Sequence, residues 1–458
     1  MVVNTEDNAS SLLSTPSKEK PFILERKTVD YEDYSVRFSQ EKQDYSVQFA
    51  HVYSARLNEL KDILIKEICK KWGSIRIVKL AELEEVENER CVIIGTQFKH
   101  QQWKPSILKE LGDDHDLIPT VPRNDYCSEK DVPFLEDEML RVKLVGDKVN
   151  IKDIVTGIVC AVLGHEKADG TFEVEDWCFP GCAPKTITPE PVTKGKVLIL
   201  SGLDMVHHSQ SLSQSLLTEW ICGMAGNSIA QAEEASIVRV IIAGNGVRSS
   251  PEIFSSTGLY SGKAKDREVY KETAEGTKRL DSFINELAQC CLVTLMPGQH
   301  DPTGVMLPQK PLHPCMLPKS SRYENFTGVA NPWSGKIGTR VFLGTSGQPI
   351  EDIMRVSGLA NGTPLEWLAK TLVWRHLCPT APDTLPSYPY CGKDLFIIHE
   401  CPDIYFVSNM DKFETKLWIG QDGQRVRLIS VPQFSTTNTA VLVDLDSLDT
   451  QIVSFGTS

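Results

Sequence analysis

The sequence predicts an α+β protein in which a small β-barrel precedes a larger domain of helices and buried strands. Short strand-like segments with glycine kinks follow one another closely between residues 91 and 174, which is typical of a small antiparallel barrel. Farther along, three apolar runs each end in a glycine-containing turn, as buried strands do: Val197–Leu200, Val238–Ile242 and Leu292–Leu295. With 458 residues and 41% hydrophobic content, the chain can bury two substantial cores.

The beginning of the chain predicts a flexible tail followed by one amphipathic helix. Residues 1–35 start with a polar stretch rich in Asn, Ser and Thr that offers little to a core. From His51 to Trp72, apolar residues recur at intervals of three and four, and the pattern stops at Gly73, which is typical of a helix with a glycine at its C-terminus. We expect one face of this helix to pack on a core through Leu57, Leu60, Ile63, Leu64 and Ile68.

The predicted barrel contains four strand-like segments and one hairpin. The segments are Cys91–Thr96, Leu140–Leu144, Ile154–Val159 and Phe172–Val174, and the turn of the hairpin is Ala168–Gly170. Together with its N-terminal helix, the barrel is expected to span residues 36–185. A connector stiffened by prolines then leads to the second domain, which is expected to span residues 192–458.

One turn of the second domain suggests metal chemistry. Met296–Pro302 follows a predicted helix and strand, and it looks like the metal-binding turn of a phosphoesterase with one ligand replaced. In a two-metal phosphoesterase, side chains at strand ends hold two cations about 3.5–4 Å apart, and these activate water and polarise phosphorus. The residues at this turn and at the other strand ends therefore decide whether the domain can be an enzyme.

Five longer motifs point to one family. They are Pro297–Asp301, Leu307–Gln309, Leu312–Pro314, Gly344–Gln348 and Arg375–Leu385. In these motifs the chain resembles the small B subunits of eukaryotic replicative DNA polymerases, above all those of the delta type, from about residue 36 to the C-terminus. The resemblance implies an OB-fold β-barrel joined to a calcineurin-like metallophosphoesterase β-sandwich flanked by helices.

The resemblance also implies that the metal site is vestigial. Active relatives carry Asp-x-His after the first strand, Gly-Asp after the second, Gly-Asn-His-Asp after the third and Gly-His-x-His after the fourth. This chain keeps the histidine and aspartate of the third motif, and most other ligand positions carry hydroxyl, amide or apolar side chains. We therefore predict no catalytic residue, no bound metal and no cofactor. The vestigial positions are Ser201, Leu203, Asn245, Gln299, His300, Asp301, Asn409 and Asp411.

Two other interpretations of these residues stay open. The chain could be a divergent metal-dependent phosphoesterase or 3′–5′ exonuclease that uses Asp204, Asn245, His300 and Asp301 around one metal. Alternatively, His300 and Asp301, which this chain keeps from the third motif, have a purely local structural function. An aspartate before proline favours a turn and accepts hydrogen bonds from nearby backbone, while the histidine packs or bonds locally.

Composition limits the partners and the location of the chain. The net charge of −13 argues against strong direct DNA binding, because such binding depends on Lys and Arg displacing counterions. The N-terminus lacks a signal pattern and no apolar run approaches the roughly 20 residues of a membrane helix, so we expect neither secretion nor membrane insertion. The 13 cysteines are scattered and include no Cys-x-x-Cys pair, which predicts reduced core thiols rather than disulfides or metal ligands.

Two proline-rich loops, residues 302–318 and 379–389, are candidate contact surfaces. Proline fixes φ and reduces the entropy lost on ordering, so such loops can present preorganised side chains to a partner. The alternative is that the loops only seal the top of the sandwich. The candidate contact residues are Leu307, Leu312, Met316, Leu385, Tyr388 and Tyr390.

The family resemblance implies a noncatalytic accessory subunit of DNA polymerase delta that acts in DNA replication and repair synthesis in the nucleus. Its implied partners are the C-terminal metal-binding domain of the catalytic subunit, a further accessory subunit and, through the holoenzyme, the sliding clamp. The catalytic subunit of polymerase zeta is a further implied partner. A small subunit of the alpha or epsilon type is the alternative within the same family.

Overall fold

The computed structural model describes residues 24–38, 48–86, 89–104, 124–187, 191–208, 211–251, 263–389 and 392–456. These residues form three six-stranded sheets accompanied by helices. One sheet is rolled into a barrel and the other two face each other across a shared core. The α+β class predicted from the sequence is confirmed.

The α-helices are α1 (Ala50–Trp72), α2 (Leu212–Ile221), α3 (Ser228–Glu234), α4 (Lys263–Ala288), α5 (Gln348–Ser357), α6 (Pro364–Trp374) and α7 (Phe434–Thr437). The strands up to the second domain are β1 (Tyr31–Asp33), β2 (Ile77–Val78), β3 (Cys91–His100), β4 (Val132–Glu136), β5 (Arg141–Val145), β6 (Val159–Glu166) and β7 (Thr171–Cys178). The remaining strands are β8 (Lys196–Leu200), β9 (Ile237–Ala243), β10 (Val293–Met296), β11 (Phe326–Gly328), β12 (Trp333–Ile337), β13 (Arg340–Thr345), β14 (Ile404–Met410), β15 (Glu414–Ile419), β16 (Arg425–Pro432), β17 (Thr439–Asp444) and β18 (Thr450–Ser454).

The barrel is built from β2 to β7, in the order β2-β3-β4-β5-β7-β6, and is closed by pairing between β3 and β6. Its interior is filled by alternate apolar side chains, among them Leu135, Leu144, Val162 and Phe172. Closure removes the free sheet edges that would otherwise be left at β3 and β6. The hairpin predicted at Ala168–Gly170 is confirmed as the connection between β6 and β7.

Helix α1 confirms the first helical prediction, because it spans Ala50–Trp72 and its apolar face is buried. Leu60, Leu64 and Ile68 are fully covered and pack on the outside of the barrel. The helix ends at Gly73, whose φ of 73° lies in the left-handed region that favours glycine.

The second domain is a sandwich of two mixed sheets. One has the strand order β11-β10-β9-β8-β17-β18 and the other the order β1-β12-β13-β14-β16-β15. Large side chains such as Trp333, Phe342 and Phe406 fill the space between them. Helices α2 and α4 cover the outer face of the first sheet, and α5 and α6 cover that of the second. None of the helices within the described ranges is both long and apolar enough to span a bilayer.

The barrel contacts the sandwich through a buried arginine. Arg56 of α1 has an exposed fraction of 0%, and its Nε donates to Oδ2 of Asp394 at 2.6 Å. Its other N–H groups donate to the carbonyl oxygens of Gly157, Pro379 and Ala381 at 2.7, 2.9 and 2.8 Å. One guanidinium therefore joins the helix, a barrel loop and two segments of the sandwich domain.

Polar contacts continue this interface along the barrel wall. The ammonium of Lys99, in β3, donates to the carbonyl oxygen of Val356 at 2.6 Å, and the side-chain amide of Gln101 donates to the same oxygen at 3.0 Å. Burial lowers the pKa of Lys99 to about 8. The carbonyl group of Val356 belongs to the sandwich domain, whereas both donors belong to the barrel domain. Separating the two domains would therefore leave the side chains of Lys99 and Gln101 without this acceptor.

A buried histidine completes the contacts of Asp394. Nε2 of His376 lies 2.9 Å from the carboxylate of Asp394, and the backbone N–H of Cys378 donates to Nδ1. The neutral imidazole with its proton on Nε2 satisfies both contacts, whereas protonation of Nδ1 would break the second. Burial, with the charge of Arg56, lowers the pKa of His376 from 6.5 to about 4 despite the attraction of Asp394.

Acidification is therefore expected to destabilise the fold through His376. Between the ordinary pKa of 6.5 and the folded pKa of about 4 the unfolded chain binds the extra proton, so stability falls as pH drops through this window, by up to about 3 kcal/mol. Urea unfolding across the window should show a shallower dependence on pH in His376→Gln than in the wild type. Equal slopes in the two proteins would contradict this assignment.

Two sequence-based boundaries are wrong, for physical reasons. The strand predicted at Ile154–Val159 begins only at Val159, because Val155 and Ile158 are buried against the sandwich domain rather than in the sheet. The tail predicted over residues 1–35 is wrong for residues 24–35. There Tyr31–Asp33 forms β1 on the open edge of β12, while residues 1–23 lie outside the described residues.

Gly157 is expected to be essential for contact between the two domains. A Cβ at this residue, whose φ is 94°, would lie 2.0 Å from the carbonyl oxygen of Pro379 and 2.6 Å from Nη1 of Arg56. Gly157→Ala should lower the free energy of unfolding by about 3 kcal/mol, the sum of backbone strain and steric conflict. The matched control is Gly170, with a φ of 76° and nothing within 4 Å of a Cβ. Gly170→Ala should cost only about 1 kcal/mol, and equal losses in thermal unfolding would refute the contact.

Candidate functional site

Four strand ends meet at one edge of the sandwich, where the vestigial metal site was predicted. The loop after β8 bonds to the loop after β9, since the N–H of Gly202 donates to the carbonyl oxygen of Gly244 at 3.0 Å. The loops after β9 and β10 touch so closely that a Cβ on Gly298 would lie 2.2 Å from the backbone nitrogen of Asn245. Glycine is required there by space, and the contact brings the second and third motifs together.

The loop after β8 contributes one polar group to this site and turns one predicted position away from it. Ser201 is fully buried, its hydroxyl donates to the carbonyl oxygen of Pro432 at 3.1 Å, and it accepts a hydrogen bond from the N–H of Asn409 at 3.0 Å. Leu203, which was predicted to stand where an active relative has an imidazole, is buried in the core beneath α2 and α4. The first motif therefore fastens the loop and supplies no charged ligand.

The loop after β9 presents Asn245 in a left-handed conformation with a φ of 53°. Its side-chain oxygen accepts a hydrogen bond from the backbone N–H of His300 at 3.2 Å. A carboxylate at this position would bridge two cations in an active relative, but the amide is neutral and its oxygen binds the neighbouring loop. This residue joins the second and third motifs by a hydrogen bond.

The loop after β10 uses Asp301 as a backbone acceptor. The carboxylate accepts hydrogen bonds from the N–H groups of Gly298, Val247 and Gly246 at 2.8, 2.8 and 3.3 Å. Burial raises the pKa of Asp301, although these donors oppose the increase. The local interpretation that the sequence left open fits this geometry, and the donors come from two loops rather than from the aspartate's own turn alone.

The neighbouring residues of the third motif are only half-buried. Burial and the positive charges of Arg355 and Arg248 lower the pKa of His300, which therefore favours its neutral imidazole. Gln299 lies beside it with its side chain partly exposed.

The end of β14 carries a second left-handed asparagine. Asn409 has a φ of 62°, and its side-chain amide donates to the carbonyl oxygens of Ala243 and Ser346 at 3.2 and 2.8 Å. Its Oδ1 is buried and accepts no hydrogen bond from the described residues. Asp411, the second predicted position of this motif, is exposed at the following turn and lies outside the buried cluster. The structure therefore brings together Ser201, Asn245, Asp301 and Asn409.

A cluster of amides that the sequence did not predict lies beneath this edge. The amide nitrogen of Asn331 donates to Gln309 at 2.7 Å, to Ser346 at 2.7 Å and to Gln348 at 3.1 Å. Gln309 in turn donates to the carbonyl oxygen of Gly298 at 3.1 Å, which supports the third motif from below. Three of these residues lie in motifs that carried the family resemblance, whereas nothing in the sequence pattern marked Asn331.

The arrangement offers few anionic ligands for a cation. Within the part of the chain that the structure describes, no group of three or more His, Cys, Asp or Glu side chains is placed to hold a metal ion. The carboxylate of Asp301 already accepts three N–H groups. Asp204, another buried carboxylate of this region, lies 2.9 Å from Nδ1 of His207. The other polar side chains of the site are hydroxyl and amide groups that are hydrogen-bonded to backbone.

The candidate contact residues of the proline-rich loops are mostly core residues. Leu307, Leu312 and Leu385, which were predicted as partner contacts, have exposed fractions of 1%, 5% and 6% and present little surface to a partner in this chain. Met316 and Tyr388 are half-buried and pack against the two outer cores. Tyr390 lies outside the described residues. These loops seal the sandwich, because their apolar side chains complete the cores under α4, α5 and α6.

Comparison with known proteins agrees with this architecture. Residues 48–177 match a family model described as the DNA polymerase delta subunit OB-fold domain, and residues 197–415 match one that describes the B subunits of DNA polymerases alpha and epsilon. The chain is 40% identical over 436 residues to DNA polymerase delta subunit 2 of Drosophila melanogaster, covering 94% of this chain and 99% of the relative. The chain belongs to the DNA polymerase delta small-subunit family. The resemblance inferred from its motifs is confirmed.

Other members of the delta small-subunit family match over nearly their whole length. The small subunit of Arabidopsis thaliana is 38% identical over 439 residues, covering 95% of this chain and 97% of the relative. That of Saccharomyces cerevisiae is 30% identical over 456 residues, covering 90% of each chain. The matched OB-fold region contains α1 and β2 to β7, and the second match covers most of the sandwich.

Proposed function

We propose that this chain is a noncatalytic accessory subunit of DNA polymerase delta. It would bridge the C-terminal metal-binding domain of the catalytic subunit and a further accessory subunit, and so help to tether the holoenzyme to the sliding clamp in replication and repair synthesis. Family membership supports the polymerase assignment. The observation that supports the noncatalytic part is the hydrogen-bonded edge at Ser201, Asn245, Asp301 and Asn409.

The chemistry of this edge argues against a pair of divalent cations. Two cations a few ångströms apart need anionic bridging and terminal ligands to offset their repulsion and their lost hydration. Here the bridging position is the neutral Asn245, and the carboxylate of Asp301 is occupied by three N–H groups. Ligand side chains that are already bound to backbone would have to give up those bonds before they could coordinate an ion.

The remaining features fit a scaffold. The polar interface around Arg56 fixes the barrel against the sandwich, which gives a partner a surface of defined shape. The net charge of −13 suits binding to proteins better than wrapping a DNA backbone. We expect the subunit in the nucleus with its partners, and the polymerase zeta catalytic subunit is a second candidate partner.

Co-expression with the C-terminal domain of the delta catalytic subunit tests the scaffold directly. We expect the two chains to co-elute in equimolar amounts on size-exclusion chromatography. The matched arms are the C-terminal domains of the alpha, epsilon and zeta catalytic subunits. Failure to co-elute with the delta domain, or co-elution with the alpha or epsilon domain alone, would refute the delta assignment of partners.

The alternative function, a single-metal phosphoesterase or exonuclease, predicts activity that depends on Asp204 and His300. We expect no hydrolysis of single-stranded DNA or of a simple phosphodiester above the buffer blank, in manganese or magnesium, by the wild type. Asp204→Asn and His300→Ala should leave that baseline unchanged. Manganese-dependent cleavage that both variants abolish, with unfolding temperatures unchanged, would favour the enzyme instead.

A further inference from the structure

Two cysteines face each other at the ends of two neighbouring helices. Sγ of Cys222 lies 3.2 Å from Sγ of Cys290, although 68 residues separate them in the sequence. Cys222 is the C-terminal cap of α2, and Cys290 follows the end of α4. Since an S–S bond is about 2.05 Å long, an approach of roughly 1 Å would join the two sulfur atoms.

The pair is partly exposed and lies near a cation. Both cysteines are half-buried, whereas the adjacent Cys291 is buried. The guanidinium of Arg26 donates to the carbonyl oxygen of Ile221, the residue before Cys222, and to that of Ile237 at 2.8 Å. Its charge is therefore held beside the two sulfur atoms by backbone contacts.

Proton sharing between the thiols distinguishes the two sulfur atoms. The contact with the Cys222 thiol, assisted by the charge of Arg26, lowers the pKa of Cys290. The same contact raises the pKa of Cys222, so of the two thiols Cys222 holds its proton more strongly. Cys290 is thus the nucleophile of the pair, because the thiolate rather than the thiol reacts.

We propose that Cys222 and Cys290 form a reversible disulfide when the chain meets hydrogen peroxide. The Cys290 thiolate attacks one peroxide oxygen, the O–O bond breaks, and the departing hydroxide takes up a proton to leave as water. Cys290 is then a sulfenic acid. The sulfur of Cys222 attacks it, the S–O bond breaks, and the thiol proton and the hydroxyl leave as a second water. The two thiols are oxidised by two electrons and the peroxide is reduced, and a dithiol reductant reverses the reaction.

The geometry selects this pair over Cys290 and Cys291. Cys291 is buried and directly follows Cys290, and the Cα atoms of consecutive residues lie about 3.8 Å apart, closer than the roughly 4.4–6.8 Å usual across a disulfide. Cys222 approaches from another helix and needs only a small side-chain movement. The bond would tie the C-terminal ends of α2 and α4 together over the core that they share.

Limited oxidation of the full chain with hydrogen peroxide, followed by alkylation and peptide mass analysis, tests the proposal. We expect a peptide pair linking Cys222 and Cys290, and loss of both thiols about tenfold faster than loss of the exposed Cys69 and Cys315, because of the thiolate fraction. Dithiothreitol should restore both thiols. Arg26→Gln should slow formation of the bond several-fold without abolishing it.

The matched variants are Cys222→Ser and Cys315→Ser. Cys222→Ser should accumulate sulfenic acid at Cys290, trapped with dimedone, while Cys315→Ser should behave as the wild type. The unfolding temperature of the oxidised wild type should exceed that of the reduced protein, since a closed loop restricts the unfolded chain. Oxidation of Cys69 and Cys315 ahead of the pair, or a bond between Cys290 and Cys291, would overturn the proposal.

Discussion

Replacing Arg56 with alanine is expected to lower the free energy of unfolding by about 3–5 kcal/mol, the loss typical of breaking a buried ion pair. The change leaves the carboxylate of Asp394 buried with His376 as its main remaining side-chain partner. It also removes the donor to the carbonyl oxygens of Gly157, Pro379 and Ala381. Urea unfolding at neutral pH measures the loss, and Arg56→Lys should recover only part of it, because an ammonium cannot reproduce the planar fork of donors.

The control for Arg56 lies on the same helix. Lys70 pairs with Glu67 at the surface, where solvent screens the interaction, so Lys70→Ala should leave stability unchanged. Limited proteolysis of Arg56→Ala should also cut the segment between the barrel and the sandwich earlier than in the wild type. A loss no larger than that of the lysine variant would show that the buried arginine does not hold the two domains together.

Asp301→Ala is expected to destabilise the chain by about 3–4 kcal/mol, because three buried N–H groups lose their acceptor at once. Asp301→Asn should lower the stability less, since the amide oxygen can still accept some of these hydrogen bonds. The sign of the change in stability distinguishes a structural acceptor from a metal ligand. In an empty site built to hold a cation, removing a carboxylate relieves repulsion and stabilises the protein, whereas removing a backbone acceptor destabilises it.

A second aspartate among the predicted vestigial positions provides the control for this prediction. Asp411 was predicted to stand where active relatives carry an imidazole, and it is exposed at the turn after β14. Asp411→Ala should therefore leave the unfolding midpoint unchanged. If Asp301→Ala were neutral or stabilising in the absence of metal, the carboxylate would be a ligand waiting for an ion and not part of the loop structure.

Local pattern predicted the elements whose apolar residues all lie in regular structure. The helix at Ala50–Trp72 and the strands Lys196–Leu200 and Ile237–Ala243 agree with the sequence to within a residue or so. The helix buries one face on the barrel, and the two strands are buried on both faces, between the helices and the opposite sheet. Ile154–Val159 failed for a different reason. Its apolar side chains complete a core in the other domain, and period alone does not say which core a residue enters.

The sequence predicted which residues lie at the strand ends of the site, but it did not predict the contacts that they make. The motifs placed Asn245, Asp301 and Asn409 at strand ends, and the strand order of the sheets brings those ends together. No local pattern showed that Leu203 turns into the helical core, or that Asn331 supports the edge from a distant loop. The contact between Cys222 and Cys290 is also tertiary, and the spacing of the cysteines along the sequence does not indicate it.

The most direct test of the central claim is anomalous diffraction from crystals of this chain grown in manganese. We expect no anomalous peak at the edge formed by Ser201, Asn245, Asp301 and Asn409, because amides, hydroxyls and backbone groups satisfy one another there. Two strong peaks about 3.5–4 Å apart between these residues would contradict the claim that the domain is noncatalytic, since that spacing is typical of an active two-metal site.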